Sequence, residues 1–515
     1  MKPFSKKKAI GIALVVIVII LSFPGYVIYK TIRNDHALNE HIKNKLIPNI
    51  KTGLSLYFNS EEEPVLPVIE LYIDKPELEN LEKQIVNKIE QGKKQSIFGS
   101  NSFTFVDAKI VDDKNGEHKI KIRIRGDMSS NFNHGLENAT YRFNIIDSSF
   151  MYGKKKLSLV RPFLENHGFY GYLFYKYFKN EQLISNDIRF VNLKFNSEDI
   201  GVYMLQEGFS EELILSNDRK GGILLRFKDD CSNYYNSYSE LVPYQKKKVL
   251  ADSTLLSQLD IARTNFDEVV KGDQSPSNCF NIDLYAKYFA LCDIFMSHHS
   301  YTCFNAKFWF NPNNQLLEPI AWDPANFVRY KSGLDLSYKG HNYTFDSVCN
   351  NKYRFPIHYI LRKDSSFLSR YTEYLYHYAH NHSIQNFIES YSNEIKKLEP
   401  LLFKQNYETV YHPEWIIERM DEIKRLFLAS NVVQASYYKE RNVLKVKSMT
   451  KLPIYIKSIS FSDTIININQ MLLPQQEKEI QVLLDFRGVD IPSQFKLISS
   501  FLYPKKELKY KGIVF

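Results

Sequence analysis

Strict alternation along Lys119–Arg125 is the feature that most constrains the fold of this chain. In this segment, KIKIRIR, isoleucine alternates with lysine or arginine. Successive side chains of a β-strand point to opposite faces, so the pattern predicts a strand with one apolar face and one basic, half-solvated face. The turn residues Asp112–Gly116 separate it from the apolar segment Phe103–Val111, which predicts that the two segments pair. The first half of the chain is therefore expected to build a sheet that carries Arg123 and Arg125 on its basic face.

The period of the apolar residues changes along the chain. Strand-like segments mixed with helices fill about residues 65–350, helical periodicity dominates residues 351–446, and short alternating segments return in residues 447–515. Such blocks of different period are typical of an α+β architecture. We therefore predict an α+β domain at 65–350, a helical extension at 351–446 and a small all-β domain at 447–515.

The residues before this body contain one long uncharged apolar run, Ala9–Tyr29, which is about as long as a bilayer-spanning helix. Lysines precede the run at positions 2 and 6–8, and Ser22–Gly25 does not fit a small-x-small cleavage site. The pattern predicts a cytoplasmic tail at 1–8, an uncleaved transmembrane signal anchor at 9–29 and a polar stalk at 30–64. Because positive residues stay inside, the predicted location is the cell membrane, single-pass, with the body outside the cytoplasm.

The charge balance narrows the partners only slightly. The chain has 67 Lys+Arg against 58 Asp+Glu, a net charge of +9. This mild basic excess fits anionic partners such as phosphates, acidic glycans or lipid headgroups without selecting one of them, and we expect no nucleic-acid partner. The five cysteines contain no CxxC pair, so they predict neither a zinc site nor a readable disulfide framework.

Six short segments, taken in order, resemble the CotH kinase family, named for spore coat protein H. Each segment is weak alone, and their order and spacing over about Val68–Phe327 carry the resemblance. The segments are an opening strand and helix (Glu70–Asp74, Leu78–Leu81), an arginine-rich strand (Arg123–Ser130), a lysine-led strand (Lys155–Leu159), a hairpin (Asn196–Tyr203, then Leu205–Glu207), a glycine-led strand (Gly221–Lys228), and a late signature (Asn305, Phe308–Phe310, Ile320–Ala325).

The resemblance implies an atypical, secretory-kinase-like fold. If kinase activity is retained, it also implies ATP with Mg²⁺ or Mn²⁺ as the cofactor. Asp323, which follows Trp322, is then the implied metal ligand and catalytic residue, and Asn305 is the implied second ligand. Each of these side chains could instead satisfy a local turn. Glu207, at the end of the hairpin, could orient a lysine or face solvent.

Three charged groups that the family pattern leads us to expect are missing. Ala325 stands where a second acidic residue should follow Asp323, Ser297–Ser300 contains no acid before Asn305, and Asn138–Thr140 lacks the paired lysines. Mg²⁺ prefers anionic oxygen ligands, and an alanine offers none. Because phosphoryl transfer depends on cations that neutralise the phosphates, we do not expect conventional Mg-ATP catalysis.

Other side chains leave the chemistry of this region open. His299 could act with Asp323 as a general base or metal ligand, or it could be one of two polar residues at a helix end. Arg123 and Arg125 could clamp an anion or lie on a solvated sheet face, and Lys228 is a further ligand-binding candidate.

These observations support three alternative hypotheses for the function of the protein. The first is a degenerate or repurposed kinase-like module that serves surface polymer or coat assembly, with the polymer or coat proteins as partners. The second is an active CotH-type protein kinase. The third is a surface carbohydrate-modifying enzyme that uses His298, His299 and Asp323.

Overall fold

The computed structural model describes residues 50, 53–56, 64–94, 103–114, 116–126, 131–132, 135–164, 168–228, 240–324, 356–362, 364–406, 411–461, 464–473, 476–482, 494–505 and 507–514. The chain divides into two compact units, residues 1–62 and 63–515, and nearly all described residues belong to the second. The membrane span predicted at Ala9–Tyr29 lies outside the described residues. Within the described ranges, no helix has both the length and the hydrophobicity needed to cross a bilayer.

A closed β-barrel begins the second unit. Its strands in the described chain are β1 (Val68–Tyr72), β2 (Val106–Val111), β3 (Glu117–Ile124), β4 (Tyr141–Ile145), β5 (Lys156–Val160), β7 (Ile188–Phe195) and β8 (Glu198–Glu207), with helix α1 (Lys75–Lys94) after β1. The barrel closes in the order β1-β2-β3-β4-β5-β8-β7, and only β1 and β7 pair in parallel. The predicted alternation holds: Ile120, Ile122 and Ile124 are fully buried in the barrel core. Arg123, between two of them, therefore points to the outer face.

A second sheet follows the barrel along the chain. The structure describes five strands in it: β6 (Ile184–Ser185), β9 (Ile223–Phe227), β10 (Leu241–Pro243), β11 (Lys307–Asn311) and β12 (Leu316–Ala321). Their order is β10-β9-β11-β12-β6, and the short strand β6 runs parallel to β12. Because Ser185 pairs with Ala321, the residues that follow β6 and β12 leave the sheet at the same edge. This edge carries the candidate site.

Helices surround this second sheet and continue beyond it. They are α2 (Phe169–Asn180), α3 (Glu211–Leu215), α4 (Lys246–Ala251), α5 (Ser253–Lys271), α6 (Ile282–Ile294), α7 (Pro356–Leu361), α8 (Ser365–His380), α9 (Ser383–Gln405) and α10 (Glu414–Leu428). The aromatic-rich helix α2 is buried nearly all round, with Phe174 packed against Phe178 and Phe295. Its rings therefore form core and do not present a stacking surface. Helix α8 begins where the Asp364 carboxylate accepts the Ser366 and Phe367 amides, a standard N-cap.

The C-terminal part is a single sheet. Its described strands are β13 (Val433–Tyr438), β14 (Val443–Ser448), β15 (Ile454–Phe461), β16 (Thr464–Leu472), β17 (Glu477–Gln481), β18 (Gln494–Phe501) and β19 (Glu507–Val514), in the order β16-β15-β18-β19-β13-β14-β17. The predicted mixture of helix and sheet with a C-terminal β domain is confirmed.

The sheet begins earlier than the boundary predicted at Lys447. That boundary cuts through β14 and omits β13, which pairs with both β14 and β19. The sheet also shares one continuous core with the helices. The ring of Phe427 on α10, for example, lies 5.7 Å from that of Phe501. Sequence period could not locate this boundary, because β13 follows α10 after only a short connection.

Candidate functional site

Asp323 stands at the edge of the second sheet, two residues after β12 ends at Ala321. Its φ is +49°, a left-handed conformation that a non-glycine residue adopts only when its surroundings hold it there. The hydroxyl of Tyr175 on α2 accepts the Asp323 amide at 3.1 Å, and the Ser300 hydroxyl donates to the Asp323 carbonyl at 3.2 Å. These two bonds fix the backbone and present the Asp323 carboxylate, whose side chain is 29% exposed.

Asp323, His299 and Asn305 form what we call the Asp323 cluster. Nδ1 of His299 lies 3.3 Å from Oδ2 of Asp323. The buried Asn305 amide donates to the same Nδ1 at 2.7 Å and to the His299 carbonyl at 3.2 Å. The Asn305 amide nitrogen also lies 3.4 Å from Nε2 of the same ring. Asn305 thus orients the His299 ring beside Asp323.

The cluster supplies a single carboxylate to any metal ion. Asp323 and the Asn305 carbonyl oxygen are chemically able to be ligands, as the sequence predicted. Among the described residues, no group of three or more His, Cys, Asp or Glu side chains is placed to hold a metal. Asp293, the other acid of this region, is buried on α6 and accepts the hydroxyl of Tyr371 from α8. Its carboxylate therefore serves the packing of two helices.

Glu207 lies at the end of β8. Its carboxylate forms an ion pair with Lys154 at 2.5 Å and accepts the Asp187 amide at 3.0 Å. Both partners are buried: Glu207 is 1% exposed and Lys154 6%. Burial raises the pKa of Glu207, and the Lys154 ammonium opposes that rise by favouring the ionised form. The described contacts of the Glu207 carboxylate include neither Asp323, His299 nor Asn305.

The outer face of the barrel carries a row of polar side chains that the strand register aligns. Arg123 pairs with Arg142, Arg142 with Ser158, and Ser158 with Gln206, across β3, β4, β5 and β8. Directly opposite residues of a sheet have their Cβ atoms about 4.5–5.5 Å apart. The row therefore places two arginines side by side. We call Arg123, Arg125 and Arg142 the arginine face.

Arg125 connects the arginine face to the Asp323 cluster. Its guanidinium donates to Oε1 of Gln206 at 2.6 Å and lies over the ring of Trp322 at 5.0 Å, a cation–π contact. Trp322 immediately precedes Asp323. The arginine face and the cluster are thus neighbours along one edge, although they come from segments about 200 residues apart.

The second sheet adds an aromatic group and another cation beside the arginine face. Tyr244 stacks on Phe209, which packs against Trp322, and Arg226 lies over the Tyr244 ring at 5.7 Å. Desolvation lowers the pKa of Arg142 to about 9, with further contributions from the charges of Arg125, Arg123 and Arg226. The four guanidinium groups are therefore close enough to raise one another's electrostatic energy.

The predicted site residues divide into two sets. The structure brings Asp323, His299 and Asn305 together, with Arg125 next to them and Arg123 on the same face. Lys228 lies at the end of β9, is largely exposed, and pairs with Glu240 at 3.8 Å. Glu207 pairs with Lys154 instead.

Three residues of this region were missed by the sequence analysis: Arg142, Gln206 and Lys154. Alternation in Tyr141–Ile145 indicates that Arg142 faces outward, but only the register shows that it lies opposite Arg123. No local signal distinguishes Lys154 from its two lysine neighbours.

The chain matches the family model described as CotH kinase protein over residues 122–445, well over half of its 515 residues. The match starts in β3 and continues past the end of the predicted resemblance through the helices into β14. A comparison with curated proteins gave no significant match. The arginine-rich strand, the Glu207 hairpin, the Asp323 signature and the matched region together show that this chain belongs to the CotH kinase family.

Proposed function

We propose that this CotH-family protein is a membrane-anchored module in which the kinase-like site is repurposed for ligand binding, and that it acts in the assembly of a surface polymer or coat. The apolar run Ala9–Tyr29 with its preceding lysines supports the anchor. The C-terminal sheet supports a role in assembly, because it adds a large surface that phosphoryl transfer does not require.

The proposal rests on one observation, which is that the Asp323 cluster contains a single carboxylate. Phosphoryl transfer needs metal ions on the phosphates and a carboxylate near the acceptor. Here the Asp323 carboxylate is in contact with the imidazole of His299. His299 lies in the segment where the family pattern leads us to expect an acidic residue. Asp293 is engaged by Tyr371, and Ala325 offers no ligand. A site with one carboxylate in place of several is poorly suited to Mg-ATP chemistry.

The purified protein is expected to incorporate phosphate from ATP only at background level, with Mg²⁺ or with Mn²⁺. Electrostatic stabilisation is usually the largest catalytic term, and loss of one such group lowers rates by about a hundredfold to a thousandfold. The measurement is autophosphorylation of the wild type beside an Asp323→Ala variant. The Ala325→Asp variant, which restores the second acid, is a matched comparison. Robust incorporation by the wild type that disappears in Asp323→Ala would overturn the proposal.

The anchor predicts a definite topology. Protease added to intact cells or spheroplasts is expected to digest the body, because the lysines before the span hold the amino terminus inside. The readout is an immunoblot against a C-terminal tag, with a cytoplasmic protein as the control for lysis. Protection of the body until the inner membrane is opened would establish the opposite orientation.

Two observations favour other functions. The buried Lys154–Glu207 pair is chemically similar to the Lys–Glu ion pair that protein kinases require, and it favours an active kinase as the second candidate. The contact between His299 and Asp323 is one that a general base could use. It favours the third candidate, a carbohydrate-modifying enzyme.

A further inference from the structure

A cavity of about 220 Å³ lies at the edge of the second sheet opposite to the Asp323 cluster. Helices α3, α4 and α5 line it together with the start of β9, and we call it the α3–α4 cavity. Ile223, at the start of β9, pairs with Phe310 near the end of β11, whereas the end of β12 that leads to Asp323 lies beside the start of β11. The cavity is therefore separate from the Asp323 cluster.

The α3–α4 cavity is lined mainly by apolar residues. Ile214 from α3, Ile223 from β9 and Val249 from α4 line it, and all three are buried. Leu215, at the end of α3, also lines it and is 60% exposed, so a ligand can reach the cavity from solvent at this point. An apolar protein cavity of about 150 Å³ binds benzene. The α3–α4 cavity therefore has room for a ring of that size or for a branched alkyl chain.

Two opposite charges also line the cavity. Glu211 on α3 and Lys248 on α4 form an ion pair with each other. Their side chains are 61% and 52% exposed, and an exposed ion pair contributes little to stability. A ligand can therefore replace either partner at a small cost in free energy. Because one side chain is acidic and the other basic, a ligand that carries both charges leaves neither of them without a partner.

We propose that the α3–α4 cavity binds a free α-amino acid with an apolar side chain, such as leucine. The apolar side chain fills the cavity, the ligand carboxylate pairs with Lys248, and the ligand ammonium pairs with Glu211. A zwitterion exchanges one ion pair for two, whereas a ligand with a single charge leaves either Glu211 or Lys248 unpaired. The inference goes beyond the proposed function, since the cavity and the Asp323 cluster lie at opposite edges of the second sheet.

The test is a titration of the full-length protein with L-leucine, followed by saturation-transfer NMR of the ligand, which detects weak binding. L-alanine is expected to bind about tenfold to a hundredfold more weakly than L-leucine, because it leaves most of the cavity unfilled. Two further probes are 4-methylpentanoate, which is leucine without its amine, and 3-methylbutylamine, which is leucine without its carboxylate. Each is expected to bind about twofold to fivefold more weakly than leucine, the effect of losing one exposed ion pair.

Two substitutions connect these differences to the charged residues of the cavity. Lys248→Met is expected to weaken leucine about twofold to fivefold and to bind 3-methylbutylamine at least as tightly as the wild type does. Glu211→Gln is expected to weaken leucine by a similar factor and to bind 4-methylpentanoate at least as tightly. The control is Lys247→Met, which changes an exposed lysine of the same helix that is not one of the described residues lining the cavity. It is expected to leave every affinity unchanged.

Several results would overturn the proposal. Leucine that does not bind, or that binds equally well to the wild type, Lys248→Met and Glu211→Gln, would exclude the proposed site. Binding of 4-methylpentanoate as tight as that of leucine would identify an anionic amphiphile as the ligand, and equally tight 3-methylbutylamine a cationic one; both results contradict a zwitterion. The comparison of the three ligands uses the wild type alone, so it does not depend on how the variants fold. The proposed function fails separately, through phosphate incorporation that depends on Asp323.

Discussion

Replacing Lys154 by methionine is expected to lower the free energy of unfolding by about 3–5 kcal/mol at neutral pH. Methionine keeps most of the side-chain volume and removes the ammonium that pairs with Glu207 at 2.5 Å. The Glu207 carboxylate would then remain buried without its cation. Removing one partner of a buried pair is more damaging than removing both, because it leaves an uncompensated charge.

The loss should depend on pH in a direction that follows from Glu207. Burial raises the pKa of Glu207 in the folded protein above the usual value for glutamate, and loss of Lys154 raises it further. The folded state then holds a proton that the unfolded state has lost, so stability falls as pH rises from the usual pKa through the raised one. Below the usual pKa both states are protonated. The Lys154→Met deficit is therefore expected to shrink in acid.

Urea unfolding of the body from Glu63 onward, at neutral and at acidic pH, measures both effects. Lys194→Met is the matched control, because Lys194 pairs with Glu70 at 3.1 Å in a partly exposed position and such pairs contribute about 0–1 kcal/mol. The double variant Lys154→Met/Glu207→Leu should recover much of the loss. A Lys154→Met variant that unfolds like Lys194→Met at every pH would show that the pair is not buried as described.

Replacing Gly222 by alanine is expected to destabilise the protein by about 3 kcal/mol or more. Gly222 has a φ of +72° just before β9, and an added Cβ would lie 2.2 Å from the Phe310 carbonyl oxygen and 2.6 Å from Nε1 of Trp309. Both neighbours are held in place, since Phe310 pairs with Ile223 in the sheet and Trp309 donates to the Gly221 carbonyl at 2.9 Å. The methyl group can be accommodated only if β9 shifts relative to β11.

Gly153→Ala is the control for this substitution. Gly153 has a φ of +74°, nearly the same backbone conformation, but no atom lies within 4 Å of its added Cβ. It should therefore show only the left-handed conformational cost, about 1–2 kcal/mol. Thermal or urea unfolding of both variants separates the cost of the left-handed backbone conformation from the cost of the steric clash between the added methyl group and β11. If both variants lost the same free energy of unfolding, β9 and β11 would be able to move apart and accommodate the methyl group at position 222.

The sequence predicted which residues belong to the site better than it predicted which residues contact one another. Asp323 and Asn305 were predicted from their positions in the late signature and His299 from its chemistry, and the structure places His299 in contact with both. Glu207 was also predicted from a motif, and the structure pairs it with Lys154, which no local signal distinguishes from the two lysines that follow it. A motif records which residue types occur at which spacing. It does not record how far apart two motifs lie in the folded protein.

The sequence by itself determined the periodic features of this protein: the barrel strand with its arginines outward, the helices, the β-rich end and membership of the CotH kinase family. These follow from local spacing, since side chains alternate along a strand and recur along a helix at fixed intervals. Tertiary structure alone decided that Arg123 faces Arg142, that Arg125 lies on Trp322 beside Asp323, and that β13 belongs to the C-terminal sheet. These relations join residues that are far apart in the chain, and their register depends on how whole sheets pack and bury their apolar faces.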